Sequence, residues 1–227
     1  MKNYLKFFVV FILTLTLFPL VFFSACDKES DLLGKVSELK SDAFYGESQN
    51  YKIKAGYGFS ETPTENDGKV NATVYALSFK LLEKETDNAT YVLSLDYGGN
   101  TFKSVFALNP VSNALCCSIS IEDFTEKSFT VKIFCADASE TVTLSSTVPK
   151  NAMDYKQAIL SLEKNQKNLI DSYRDNNGNF TAELVARIIV KDQKPYWYIG
   201  IKSGNGNLKA LLIDGVSGEV LAIREVF

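Results

Sequence analysis

The chain has 227 residues, with 24 basic and 27 acidic side chains, a formal net charge of −3 and no histidine. The lack of histidine excludes Ser-His-Asp and Cys-His catalysis, which need an imidazole base, and it removes the commonest zinc ligand. A mildly acidic chain with three arginines also disfavours nucleic acid as a partner, because phosphate backbones require a basic patch. Composition therefore argues against imidazole-dependent enzymes and nucleic-acid-binding proteins.

Residues 1–25 have the order of a secretory signal. Residues 1–6 hold two lysines, residues 7–23 are almost wholly apolar, and the small residues Ser24 and Ala25 precede a cysteine. The apolar run is short of the roughly 20 residues that a membrane-spanning helix needs, and no basic stop-transfer cluster follows it. We predict a cleaved signal peptide over residues 1–25. The alternative is an uncleaved N-terminal membrane helix.

The stretch Phe23-Ser-Ala-Cys26 resembles the lipobox of bacterial lipoproteins. The resemblance implies that Cys26 becomes the acylated first residue of the mature chain, with residues 26–32 as a lipidated linker. Two acyl chains, palmitate for example, anchor a protein stably to the bilayer. The expected location is then the extracytoplasmic side of the cell membrane. Lysine outnumbers arginine 21 to 3, a bias typical of AT-rich genomes, which favours a Gram-positive bacterium.

Residues 33–149 read as strands. Short segments rich in β-branched and aromatic residues alternate with turn residues, and no helical periodicity is present. Such a pattern is typical of an antiparallel sandwich, so we predict an all-β immunoglobulin-like domain here, without a fixed topology. The assigned strands are 51–59, 70–82, 91–97, 101–108, 115–121, 129–135 and 140–147.

Cys117 and Cys135 form a candidate disulfide. If residues 124–127 make a hairpin turn, the flanking strands pair so that the two cysteines face each other and Cys116 points the other way. A cross-strand bridge is then geometrically allowed. The favoured alternative is that both are buried free thiols that act as small apolar side chains. A vicinal bridge or a metal site at Cys116 is a third interpretation.

Residues 150–227 predict an α+β unit. An apolar stripe at three- and four-residue intervals runs from Tyr155 to Tyr173, and Asn177-Gly178 resembles a left-handed C-cap. Four strand-like segments follow, separated by short turns. We therefore predict one helix packed on a four-stranded antiparallel meander.

The segment Asp214-Gly-Val-Ser-Gly-Glu-Val-Leu221, with Trp197-Tyr-Ile-Gly-Ile201 before it, resembles the end of a PepSY domain. Cystatin-like and NTF2-like units share the same helix-on-sheet arrangement. A PepSY-like domain over about residues 152–227 implies a noncatalytic module at the cell surface, often inhibitory or protein-binding. The resemblance supplies no catalytic residues and no cofactor.

Tyr196 and Tyr198 are the candidate binding surface. Side chains alternate along a strand, so these tyrosines point outward if Trp197 points into the core. The alternative is ordinary cross-strand packing. Acidic residues around Glu61 and Glu83 could hold calcium or hydrolyse glycosides, but they are better interpreted as solvated turns.

We therefore expect a noncatalytic, membrane-anchored surface lipoprotein that binds a protein, peptide or glycan, without cofactor or metal. Two alternatives stay open. One is an envelope hydrolase that uses carboxylates or a Ser/Lys pair, and the other is a purely structural envelope protein.

Overall fold

The computed structural model describes residues 30–62, 72–83, 89–204 and 206–226. They are mostly antiparallel β-sheet with few helices, consistent with a β-sandwich. The predicted signal peptide and Cys26 lie outside the described residues. The strands are β1 (Val36–Glu47), β2 (Lys52–Thr62), β3 (Ala72–Glu83), β4 (Tyr91–Tyr97), β5 (Asn100–Val105), β6 (Ala107–Asn109), β7 (Ala114–Ser120), β8 (Ser128–Cys135), β9 (Ala138–Ser146), β10 (Glu183–Lys191), β11 (Lys194–Lys202), β12 (Leu208–Asp214) and β13 (Val220–Val226). The helices are α1 (Tyr155–Asn165) and α2 (Lys167–Asp171), and a 3₁₀ turn covers Leu33–Lys35.

Strand β1 is the point at which three branches of the sheet meet. It pairs with β2 along most of its length, with β10 in parallel near its start, and with β9 near its end. From β1 the branches run β2-β3-β7-β6, β9-β8-β4-β5 and β10-β11-β12-β13. The sequence analysis assigned no individual strand before Tyr51 and no parallel pairing. Val36 and its partner Leu184 are far apart in the chain, and parallel strands leave no local hairpin signal.

The first two branches enclose a sandwich core, which is built from strands and rich in aromatic rings. Phe44 of β1 packs edge-on against Phe129 of β8 with ring centroids 5.1 Å apart. Strands β7 and β8 both direct their alternate apolar residues into this core. Its largest buried members are Phe44, Ile53, Leu77, Phe79, Tyr91, Leu93, Leu95, Ile133 and Leu144.

The third branch and the helices enclose a second, helix-side core. Trp197 is 1% exposed at its centre, and its indole N–H donates to the Met153 carbonyl at 3.0 Å. Val36 and Leu39 of β1 belong to this core, although Phe44 of the same strand belongs to the sandwich core. The two cores share β1. The division into domains 33–149 and 150–227 stays a prediction. Other members are Ile159, Leu162, Ile170, Phe180, Leu184, Ile199, Ile201, Leu211 and Ile213.

The predicted helix is shorter than expected and is interrupted. Asp154 caps α1 through a capping box with Gln157, in which each side chain accepts from the other residue's backbone N–H. The helical run breaks at Gln166, whose φ of −127° is not helical, and α2 ends at Asp171. The predicted C-cap at Gly178 is wrong. That glycine has a positive φ of 83°, but it lies in a separate turn after the helix.

Strands β10 to β13 pair in consecutive antiparallel order, as predicted for the meander. The expected inward positions of β11 and β12 are buried. In β13, Leu221 and Ile223 occupy alternate positions in the same way, but each is 47% exposed. The reason is that β13 is the last strand of the sheet and carries a register shift opposite Leu212 and Ile213.

Candidate binding cleft

The two candidate tyrosines lie on the face of β11 opposite Trp197, as the alternation predicted. Both are half-buried rather than fully exposed. Tyr196 lies between Ile189 and Asp214 in the ladder, and the Tyr198 ring covers Gly200, where an added Cβ would lie 3.4 Å from Tyr198 Cε1. Their role in binding stays a prediction.

The hairpin that was expected to bring Cys117 opposite Cys135 is absent. Strand β7 pairs with β3 and β6, whereas β8 pairs with β4 and β9. Phe124 is not a turn residue but a core residue, 5% exposed, whose N–H donates to the Tyr57 hydroxyl. The connection between β7 and β8 therefore crosses from one layer of the sandwich to the other.

Cys117 and Cys135 are buried free thiols in the structure, and Cys116 is half-buried. Burial raises the pKa of Cys117 to about 12, so its nucleophilic thiolate form is strongly disfavoured at neutral pH. The strand register from which a bridge between Cys117 and Cys135 was predicted does not occur in the structure. The bridge stays a prediction for thiol counting to decide.

A cleft opens where β10 separates from β1. Leu184 to Arg187 pair with β1 on one side and β11 on the other, but residues 188–191 pair with β11 alone among the described strands. A register irregularity between Lys40 and Asp42 accompanies the separation. Beyond it, Thr147 covers the edge of β1, because its N–H and its hydroxyl both donate to the Ala43 carbonyl. Past Ile188, the edge of β10 has no such cover among the described residues.

The cavity between these strands has a volume of about 510 Å³. Pockets of about 300 to 1,000 Å³ with apolar walls and a few polar groups are the usual form of ligand sites. Ala43, Ala55, Ile188 and Val190 contribute apolar wall. The cleft was not predictable from the sequence, because it depends on the parallel pairing of β1 with β10.

Two charged side chains of opposite sign line the cleft. Lys54 lies on β2 and Asp192 lies in the turn between β10 and β11, both exposed. Neither has an ion-pair partner among the described residues. A further polar group of the lining, the Tyr45 hydroxyl, donates to Glu47 at 2.7 Å, and this hydrogen bond raises the pKa of Tyr45. The charges of Lys54 and Asp192 therefore cancel, and the tyrosine adds no charge to the lining.

Two carboxylates interact near the opposite end of β10. Burial and the charge of Glu183 raise the pKa of Glu61, and Glu183 Oε2 is buried without a hydrogen-bond partner in the part of the chain that is described. No group of three or more potential metal ligands occurs among the described residues. The geometry supplies two carboxyl groups here but no ligand set for a cation.

A second cleft of about 710 Å³ lies on the outer face of β4 and β8. Its lining is more polar than that of the β1–β10 cleft, with Ser94, Asp96, Thr130 and Lys132 among its residues. Hydroxyl groups of this kind are common on solvated sheet faces, because threonine and serine suit a half-exposed strand. The β1–β10 cleft differs, since it combines apolar walls with an uncovered strand edge.

No family model matches the chain, and no curated protein does. In the described ranges, no helix has the length and apolar composition needed to cross a membrane.

Proposed function

We propose that the chain is a noncatalytic, lipid-anchored surface lipoprotein of a Gram-positive bacterial envelope that binds a ligand in the β1–β10 cleft. The cleft is the observation that carries the proposal. It has the volume and the apolar walls of a ligand site, with Lys54 and Asp192 at its lining.

We also propose that residues 33–149 are immunoglobulin-like and that residues 150–227 are PepSY-like. The consecutive order of β10 to β13 and the helix packed on Trp197 support the second assignment. So does the turn after β12, where the Asp214 carboxylate accepts from the N–H groups of Val216 and Ser217. These two hydrogen bonds lower the pKa of Asp214 and hold the Asp-Gly-Val-Ser-Gly turn.

The Phe23-to-Cys26 motif supports the lipid anchor. The attachment of Asp31 to the rest of the fold determines how far from the anchor the folded part begins. Arg174 makes two hydrogen bonds to the Asp31 carboxylate, at 2.7 and 3.1 Å, and Phe180 N–H donates to the same group. Asp31 follows Cys26 by five residues, so the linker would reach at most about 17 Å. The anchor would therefore hold the folded part close to the bilayer.

The anchor is tested by the intact mass and membrane partition of the full chain expressed in a bacterial host. We expect a mass equal to the chain from Cys26 plus a diacylglyceryl group, and we expect Cys26→Ala to lose both the modification and the membrane fraction. Cys116→Ala is the matched control and should keep both. An unmodified, uncleaved wild-type chain would contradict the proposal.

Ligand binding in the cleft is tested by a photoreactive amino acid placed at Ile189 in intact cells. Ile223 is the matched control, since it is also an isoleucine of the same sheet and is exposed to a similar extent, 47% against 43%. We expect a crosslinked species from position 189 that is absent from position 223. Equal crosslinking at both positions, or none at 189, would contradict the cleft as the binding site.

A further inference from the structure

The turn between β10 and β11 fixes which backbone groups of β10 face the cleft. Asp192 and Gln193 both have positive φ, 51° and 61°, which is the signature of a two-residue type I′ hairpin. In such a turn the Lys194 N–H donates to the Lys191 carbonyl, so Lys191 and Lys194 are a hydrogen-bonded pair. Hydrogen-bonded and non-hydrogen-bonded pairs alternate along an antiparallel ladder.

Ile188 and Val190 therefore direct their N–H and C=O groups away from β11. Leu184 and Ala186 have the same orientation, and they lie opposite Val36 and Leu39 of β1. At 188 and 190 the corresponding groups point away from β11, towards β1 and the cleft. The pairing of Lys40 with Arg187 requires a hydrogen bond from the Ile188 N–H to the Lys40 carbonyl, because Arg187 itself faces β11. The Ile188 carbonyl and both backbone groups of Val190 have no backbone partner in the described part of the chain, so one donor and two acceptors are open on this edge.

The open groups have the spacing of a strand. Ile188 and Val190 are two residues apart, so their groups repeat at about 6.8 Å, which is the repeat of one edge of any other extended chain. An extended peptide can satisfy all three open groups, which is the physical basis of strand addition to a sheet edge. A compact ligand without this repeat would leave some of them unpaired.

The side chains that line the cleft are suited to a peptide of low charge. Phe44 and Ala55 are buried at its floor, and Ala43 is half-buried beside them. Lys54 and Asp192 carry opposite charges, so the lining offers no net charge to attract an anion or a cation. The lining therefore complements an uncharged segment with apolar side chains at alternate positions.

We propose that the ligand of the β1–β10 cleft is an extended peptide with alternating apolar residues, which adds to the free edge of β10 at Ile188 and Val190. This inference rests on the proposed function, because it names the ligand class of the same cleft. Main-chain hydrogen bonds to β10 would supply affinity, and the cleft walls would select the side chains.

The test measures amide hydrogen exchange by NMR in the full chain held in detergent micelles. The probe is a mixture of acetylated and amidated hexapeptides, with Val, Ile, Leu or Phe at alternate positions and Thr between them. We expect millimolar peptide to slow exchange at Val190 about tenfold or more, and to leave Ile188 and Ile189 unchanged because β1 and β11 already bind their N–H groups. Absence of this protection would overturn the inference.

Val190→Pro and N-methylated peptides test the hydrogen bonds themselves. Proline removes the N–H that faces the cleft without breaking a bond to β11, so affinity for the peptide should fall about tenfold or more. Val190→Ala keeps the N–H and should stay within about threefold of wild type. Should the proline variant fail to fold, peptides N-methylated at alternate residues give the same test on the wild type. Equal binding of methylated and unmethylated peptides would overturn strand addition.

Two outcomes separate this inference from the proposed function. Crosslinking at Ile189 without protection of Val190 would leave the binding cleft standing and overturn the peptide as its ligand. Protection that rises with protein concentration in the absence of peptide would assign the edge to a second copy of the chain, which also overturns the inference.

Discussion

The sandwich core and the helix-side core are assembled from different parts of the chain. The sandwich core draws on residues between Phe44 and Leu144, and its aromatic rings pack edge-on between facing strands. The helix-side core combines residues after 150 with Leu32, Val36 and Leu39, which come from the start of the described chain. The sandwich core thus forms within one continuous segment, whereas the helix-side core forms only when segments distant in the sequence come together.

Because β1 lines both cores, we expect them to unfold together. The described residues from Asp31 onward belong to one compact unit, in keeping with this expectation. Trp197 is the one tryptophan of the chain, so its fluorescence reports on the helix-side core while far-UV circular dichroism reports on all strands. Coincidence of the two signals is the standard test of a single transition.

The largest effect is expected from Trp197→Ala. The indole is 1% exposed and donates to Met153, so its removal leaves a cavity and an unpaired carbonyl. We expect a loss of about 3–5 kcal/mol in the free energy of unfolding, measured by urea denaturation with circular dichroism. Tyr198→Ala, on the opposite face of the same strand, is the control and should cost less. A sandwich transition left at its wild-type midpoint would contradict coupling through β1.

Gly58→Ala should break the contact between β1 and β2 near the junction of the two cores. A Cβ at this position would lie 1.8 Å from the Leu39 carbonyl oxygen, so the backbone of β1 has to move. We expect a loss of about 1–3 kcal/mol in urea denaturation. Gly56→Ala is the matched control, because its Cβ would meet its nearest atom, Asp42 O, at 3.4 Å. Equal stability of the two variants would contradict the close approach.

Alternation within single strands was predictable from the sequence, and pairing between distant strands was not. The burial of Trp197 between two outward tyrosines follows from a period of two, and short turns gave the order of β10 to β13. The β7–β8 hairpin was wrong because Phe124, read as a turn residue, is buried against Tyr57. The cleft was missed because an open edge is visible only after every pairing of β10 is known.

A smaller effect is expected from Cys117→Ala in the sandwich core. The free thiol is buried, so its loss should cost about 1 kcal/mol through a small cavity. A disulfide to Cys135 would instead make the loss about 2–4 kcal/mol. The intact mass after alkylation under denaturing, non-reducing conditions decides between them. Three alkylated thiols beyond Cys26 correspond to the free state in the structure, and one corresponds to the bridge.

The smallest effect is expected from Asp31→Asn, which weakens the attachment of the chain start to the helix-side core. The hydrogen bond from Arg174 lowers the pKa of Asp31 below its usual value. A lowered folded-state pKa adds stability above the unfolded-state pKa of about 4, and this stability is lost as the pH falls through the folded-state pKa. The Asp31 side chain is 43% exposed, so solvent screening limits the contribution to under about 1 kcal/mol.

The measurement is the free energy of unfolding of wild type and Asp31→Asn between pH 7 and pH 2. We expect the wild type to be slightly more stable at pH 7, and the two to converge as the pH falls from about 4 through the lowered folded-state pKa of Asp31. Glu219→Gln, an exposed carboxylate without an ion pair among the described residues, should leave the pH profile unchanged. Parallel profiles for wild type and Asp31→Asn would contradict a stabilising contact between Asp31 and Arg174. In that case, the start of the chain would be connected to the two cores through β1 alone.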